Sequence, residues 1–162
     1  MASANKTGVT TITTPSDVEV LITRVVDAPQ QMAWDVFTKP EHVRQWLLGP
    51  AGWTMPICEI DLRVGGAWRY VYEKVGAQAM TLSGVYMEVV PIDYIVSTES
   101  WGPEWPSTIN TARFTPAGAQ TIVTINVKYG SMEARDAALK TAMGDGLNAG
   151  FKRLDELLAT LS

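Results

Sequence analysis

The sequence predicts an α+β fold in which a curved antiparallel β-sheet of about seven strands wraps around a long C-terminal α-helix, with two short helices after the first strand. Three observations carry this reading. Seven segments of strand character are joined almost throughout by short loops, which favours antiparallel pairing. Two prolines, Pro29 and Pro40, stand where helices would begin between the first and second strands. Apolar residues spaced three and four apart then close the chain, a stripe that a curved sheet can bury.

In the first strand Val18, Val20, Ile22, Arg24 and Val26 share one parity, with Glu19, Leu21, Thr23 and Val25 on the other. Pro29 suits the first turn of a helix, where its missing N–H costs nothing, and Met32, Ala33, Val36 and Phe37 give that helix one apolar face. Pro40 starts a second short helix through Trp46, with Thr38 as a candidate cap. After a reversal at Gly49–Gly52 come strand segments at roughly 55–63, 67–74, 78–90, 93–101, 108–115 and 120–129. Gly65-Gly66 fits a tight hairpin connection, while Pro91, Pro103 and Pro106 mark boundaries or loops. Ser131 can cap the last helical segment, and Glu133 falls in its first turn, where the macrodipole favours a carboxylate. Met143, Leu147, Phe151, Leu154, Leu158 and Leu161 form its stripe. Gly144, Gly146 and Gly150 each cost about 1 kcal/mol relative to Ala inside a helix. They mark a break near Met143 or let the helix lie close against a sheet.

At 162 residues and 46% hydrophobic, the chain is long enough for one domain with a sizeable core and too short for two ordinary ones. Residues 17–162 read as that single domain and 1–16 as a frayed tail. The stretch from Met1 to Pro15 has no apolar core of the kind a signal peptide needs, and no spanning apolar run follows, so a cytoplasmic location is expected. A net charge of −4 with no Lys/Arg run gives no general attraction to nucleic acid or anionic membranes. The single Cys58 excludes an intrachain disulfide and any multi-cysteine metal site. The single His42 excludes a His-rich metal site and leaves one imidazole as a base. No metal or cofactor is expected.

Several local markers occur in a fixed order: Asp27-Ala28-Pro29, Trp34, Thr38-Lys39-Pro40-Glu41-His42, Trp46, Gly49-Pro50, Gly52 and Gly65-Gly66. They continue with Thr98-Glu99-Ser100-Trp101, Glu133-Ala134-Arg135-Asp136 and Leu154-Asp155-Glu156-Leu157-Leu158. In this order the chain resembles the SRPBCC (START-like, helix-grip) superfamily, in the branch named after activators of the heat-shock protein 90 ATPase, over about Asp17 to Leu158. The resemblance implies a cavity between the sheet and the terminal helix, which relatives use for hydrophobic small molecules. The co-chaperone namesake carries a separate N-terminal domain for which this sequence has no room, so its activity is not carried over. The family offers no shared catalytic set to transfer, and the catalytic residues are left unassigned.

Trp68, Tyr70 and Tyr72 alternate on one strand and project to one side of the sheet. They suit an aromatic wall with two hydroxyls for a ring-containing ligand, and they suit ordinary core packing on a concave face. Arg24 shares parity with the apolar side of its strand, and a buried guanidinium needs a carboxylate or a ligand anion. Glu99, which shares parity with Ile95 and Trp101 on another strand, is a candidate partner, and either group could anchor a polar part of a ligand; a bulge or edge position in contact with water is the alternative. Trp101, Trp105 and Trp53 lie in or beside Gly/Pro-rich loops and fit a cavity rim, a homodimer contact, or packing against Pro103 and Pro106. His42 reads as a surface residue of its helix or as a general base, and Cys58 as a small core residue.

The leading expectation is therefore a protein that encloses a hydrophobic small molecule, aromatic or polyketide-like, oriented by some of Tyr70, Tyr72, Arg24 and Glu99. A cyclase or hydrolase acting on such a ligand through His42 or Glu99 ranks second. A chaperone-interacting module ranks third.

Overall fold

The computed structural model describes residues 8–141 and 143–161, with the side chain of Met143 left aside. The seven expected strand segments become β2 (Glu19–Val26), β3 (Thr54–Ile60), β4 (Ala67–Glu73), β5 (Met80–Val90), β6 (Tyr94–Glu99), β7 (Thr108–Ala117) and β8 (Gln120–Lys128). An eighth, β1 (Thr10–Thr13), lies in the segment read as a tail; residues 1–7 of that segment fall outside the described residues. Its Thr-rich sequence has no apolar alternation of its own, and it is held by pairing along the edge of β2, Thr10 opposite Arg24 and Ile12 opposite Ile22. All pairs are antiparallel, in the order β1-β2-β8-β7-β6-β5-β4-β3, so β3 to β8 form a meander and β2 returns to pair with β8.

Two helices fill the connection from β2 to β3, α1 (Gln30–Thr38) and α2 (Pro40–Trp46). Pro29 is the N-cap of α1 and Pro40 the first residue of α2. Thr38 does not cap α2: its hydroxyl donates to the Trp34 carbonyl one turn back (2.7 Å), and Lys39 occupies the cap position. At the C-terminal end α3 (Met132–Leu139) starts with the Ser131 hydroxyl accepting from the Ala134 N–H (3.1 Å). It is separated from α4 (Met143–Leu161), so the break expected near Met143 is present.

Side chains of one parity on every strand face inward. On β2, β7 and β8 this face is dry: Val20, Ile22, Val26, Phe114 and Val123 are buried with Trp34, Val36, Trp46, Phe151, Leu154 and Leu158 from the helices. Phe114 meets the edges of Trp34 and Phe37 at 5.5 and 5.2 Å between ring centres, and Trp46 stacks on Phe151 at 6.0 Å. Of the glycines in α4, Gly150 serves close approach to α2, while Gly146 and Gly144 lie at ordinary contact distance from Pro50 and Ile12. A Cβ on Gly150 would lie 3.3 Å from the Trp46 carbonyl oxygen, and Arg153 donates to the Gly49 carbonyl (2.8 Å).

β5 is long because it serves two neighbours. Its first half pairs with β4 and its second with β6, with a register shift between Tyr86 and Glu88. Between these halves Gly84 lies under the Trp68 indole and against the Thr98 carbonyl. A glycine inside a strand commonly marks such a backbone approach. The sheet changes character here, from the helix-packed half to a half whose inner face is aromatic and polar.

Candidate functional site

On β4, Trp68, Tyr70 and Tyr72 point inward together, as their alternation requires. Across β4 they meet Ile60 and Cys58 of β3, directly opposite Trp68 and Tyr70, and Gly84 and Leu82 of β5 on the other side. Tyr86 continues the same face of β5, opposite Ser97 of β6. Two residues further along β6 is Glu99, opposite Thr108 of β7. One inner surface thus carries an indole, three phenols, a thiol and a carboxylic acid, supplied by four adjacent strands.

These groups lie deep, yet Tyr70 and Glu99 keep accessible surface, as groups lining a concavity do. Among the described residues no hydrogen bond within the protein engages the hydroxyls of Tyr70, Tyr72 or Tyr86. The Trp68 Nε1–H is enclosed and also lacks a protein partner, although its ring packs on Tyr70 at 4.7 Å. Trp68, Tyr72 and Tyr86 are otherwise buried. Burial is the first cause that pushes the pKa of all three tyrosines up, and Glu99 adds to it for Tyr70 and Tyr72. They are therefore neutral donors at physiological pH.

Glu99 accepts from the Trp101 indole N–H (2.8 Å) and is also a hydrogen-bond neighbour of Asn110, whose amide oxygen accepts from Thr108 (2.8 Å). Burial raises its pKa, and the two hydrogen bonds only partly oppose that. A hollow of about 360 Å³ near this end of the sheet is lined by Val18, Thr108, Ile109, Lys128 and Tyr129 among others; Ile109 and Lys128 face outward, so it opens at the edge of the inner face and not over Tyr70, Tyr72 and Glu99. Tyr129 feels the Glu99 carboxyl as well. A second hollow, of about 310 Å³, is lined mainly by Glu59, Ala67, Arg69, Ser83 and Val85, whose parity puts them on the outer face, away from the tyrosines.

Cys58 lies opposite Tyr70, and burial pushes its thiol up to about 11, against a smaller opposing effect of Arg44. So little thiolate exists at neutral pH that alkylation by iodoacetamide should be slow in the folded protein and rapid after unfolding. Mass spectrometry of timed samples checks this, and equal rates in both states would contradict the placement.

The other expected site residues sit elsewhere. Arg24 is buried and points inward, but its partner is Asp155 of α4 (2.7 Å), not Glu99. It also donates to the Thr10 hydroxyl (2.7 Å) and lies over the Phe151 ring at 5.1 Å. β8 and β7 separate its strand from β6, roughly 14 Å at ordinary strand spacing, so one carboxylate cannot serve both groups. Trp101 and Trp105 are 48% and 51% exposed, on the loop after β6. Trp53 is half-buried, with the Lys74 ammonium 6.0 Å above its ring. His42 is half-buried on α2 with Nδ1 enclosed and without a partner, and no serine or cysteine is bonded to it among the described residues. Sequence reasoning missed Tyr86, Asn110 and Cys58 as members of the cluster. Strand parity held the signal for Tyr86, but the bulge after it obscures which neighbours it faces.

A family model described as "Activator of Hsp90 ATPase homolog 1-like protein" matches residues 27–159. The chain belongs to this family. Comparison of this family member with curated proteins gives no match. Among solved structures, a protein from Rhodobacter sphaeroides is 25% identical with a TM-score of 0.88, over 95% of this chain and 100% of the other. A Mycobacterium smegmatis protein superposes with a TM-score of 0.81 at 20% identity, covering 93% and 97% of the two chains. An AHSA1-like protein from Aeromonas hydrophila gives 0.68 at 14% identity, covering 88% and 95%. The latter two likenesses speak to the fold alone. The family and fold fit a ligand-binding or chaperone-related module in general terms, and no described helix is long and apolar enough to cross a membrane.

Proposed function

We propose that this family member encloses a hydrophobic, ring-containing small molecule against the aromatic half of its inner sheet face. The observation that carries the reading is the co-location of hydrogen-bonding groups with no protein partner: the hydroxyls of Tyr70, Tyr72 and Tyr86 and the Trp68 N–H, beside the deep but accessible Glu99. A core built only for packing satisfies its polar atoms or omits them. Apolar enclosure supplies affinity here, and the phenols, the indole and the carboxyl set orientation. Trp101 and Trp105 form an exposed rim, which also offers a contact for a second copy of the chain.

Native mass spectrometry of protein purified gently from its own host tests this. The expected result is a reproducible extra mass, lost on denaturation and reduced in occupancy in a Tyr70→Phe/Tyr72→Phe variant; the same spectrum separates monomer from dimer. A bare chain, with tryptophan emission unmoved by titration with aromatic ligands, would overturn the reading. One observation favours an enzymatic version of the same site, namely that the raised pKa of Glu99 suits an acid–base group. Turnover of the captured molecule that stops in Glu99→Gln while binding persists would establish it.

A further inference from the structure

Glu99 is a half-buried carboxyl without a cation. Its partners are an indole N–H and an amide, and none of the described Lys, Arg or His side chains pairs with it. The guanidinium groups are committed elsewhere: Arg24 to Asp155, Arg69 to Glu59, Arg63 to Asp61 and Arg135 to Asp136. Arg44 is held by the Met55 and Pro56 carbonyls and Arg153 by the Gly49 carbonyl, and Arg113 lies over Tyr94. Thr108 and Asn110 of β7 adjoin Glu99, and Tyr70 and Tyr72 of β4, on the same inner face, and Tyr129 just after β8 are near enough to feel its charge. A carboxylate that shares a face with aromatic rings attracts a cation twice over, through its own charge and through the negative faces of the rings. The same surroundings repel an anion and offer it no counter-charge.

We infer that the ligand of this site is an aromatic or alicyclic amine, bound with its ammonium group between Glu99 and the rings of Tyr70 and Tyr72 and its apolar body along Trp68 and Leu82. The inference rests on the enclosed-ligand reading above and narrows its chemical class: fatty acids and other carboxylates are excluded as ligands, and neutral ring compounds bind only weakly. Before an amine binds, burial holds the Glu99 pKa above its ordinary value. The ionised form therefore disfavours folding as pH rises above the unfolded value, and Glu99→Gln removes that cost without removing volume.

Calorimetric titration with tryptamine, tryptophol and indoleacetate decides the matter, since the three probes share one ring system and differ in charge. Tryptamine should bind roughly tenfold or more tightly than tryptophol, as charge-assisted hydrogen bonds exceed neutral ones, with indoleacetate the weakest. In Glu99→Gln the preference for tryptamine over tryptophol should vanish, and Glu99→Asp should retain it. Thermal denaturation confirms that each variant is folded. Equal affinity for tryptamine and tryptophol, or a preference that survives in Glu99→Gln, would overturn the amine assignment and leave the cavity reading standing. Binding of none of the three at millimolar concentration also overturns the assignment, and the native mass spectrum then decides separately whether the cavity is occupied.

Discussion

Gly84→Ala should be among the most damaging single-methyl changes in this protein. A Cβ at this position would lie 1.8 Å from the Thr98 carbonyl oxygen, 2.8 Å from its carbon and 2.6 Å from the Trp68 Nε1. Two of those atoms are backbone, so no rotamer change relieves the clash. β6 would have to withdraw where Ser83 and Ser100 exchange backbone hydrogen bonds of 3.1 and 2.7 Å, and where the Val85 N–H donates to the Thr98 hydroxyl. Overpacking a closed site costs typically 1–3 kcal/mol, and the upper end, roughly 3 kcal/mol, is expected for a contact this short. For a chain of this size that lowers Tm by roughly 6–12 °C. Gly130→Ala, with no atom within 4 Å of its Cβ and no positive φ, is the control and should stay within about 0.5 kcal/mol of the parent. Equal melting curves for the two variants would refute the close approach. Because the displaced atoms include the Trp68 indole, tryptophan emission should also change in Gly84→Ala alone.

The contrast between Gly84 and the strands around it shows what a sequence can reveal. Seven of the eight strands follow from alternation and turn residues, because each buries a face and must write that face into its own residues. β1 does not: Thr10–Thr13 buries little and borrows its conformation from the edge of β2. The helix starts are equally local. Ser131 caps α3 through its own side chain, and Pro40 opens α2. Thr38 misled because its hydroxyl turns back to its own helix, and a hydroxyl near a helix boundary has both choices.

For the candidate site, parity placed Trp68, Tyr70 and Tyr72 on one inward face. What parity could not supply was the order of strands across the sheet. Arg24 and Glu99 both look like buried charges in need of a partner, and with one of each the pairing is tempting. Only the topology, with β7 and β8 between them, separates the two. It hands Arg24 to a helix 131 residues away in sequence and leaves Glu99 with an indole and an amide. The functional contrast between the two halves of the inner face is therefore a product of long-range connection.

That separation leads to an asymmetry at the other buried charge. Asp155→Ala should destabilise the protein more than Arg24→Met, although both break the same ion pair. The Arg24 side chain is 6% exposed and that of Asp155 33%. Without Asp155, the guanidinium keeps only the Thr10 hydroxyl and the Phe151 ring, with Nε already lacking a partner. An uncompensated charge left in such a place costs on the order of 3–5 kcal/mol, and the lower figure is expected because the ring offsets part of it. Without Arg24, the Asp155 carboxylate, whose Oδ1 is enclosed and without a partner, has to rotate toward the third of its side chain that meets solvent, and a methionine of similar length fills the space above Phe151; a loss of roughly 1–2 kcal/mol is expected, since apolar replacement of a buried ion is often near neutral. The double variant should then resemble Arg24→Met rather than the sum of the two, because once the cation is gone Asp155 has nothing left to neutralise. Urea denaturation midpoints of the four proteins measure the cycle. Additive losses, or a larger loss in Arg24→Met, would mean that Asp155 is held by something other than Arg24. Neither change should alter the affinity of a probe bound at Tyr70 and Glu99, since the pair lies beneath α4 in the dry half of the inner face, three strands from Glu99.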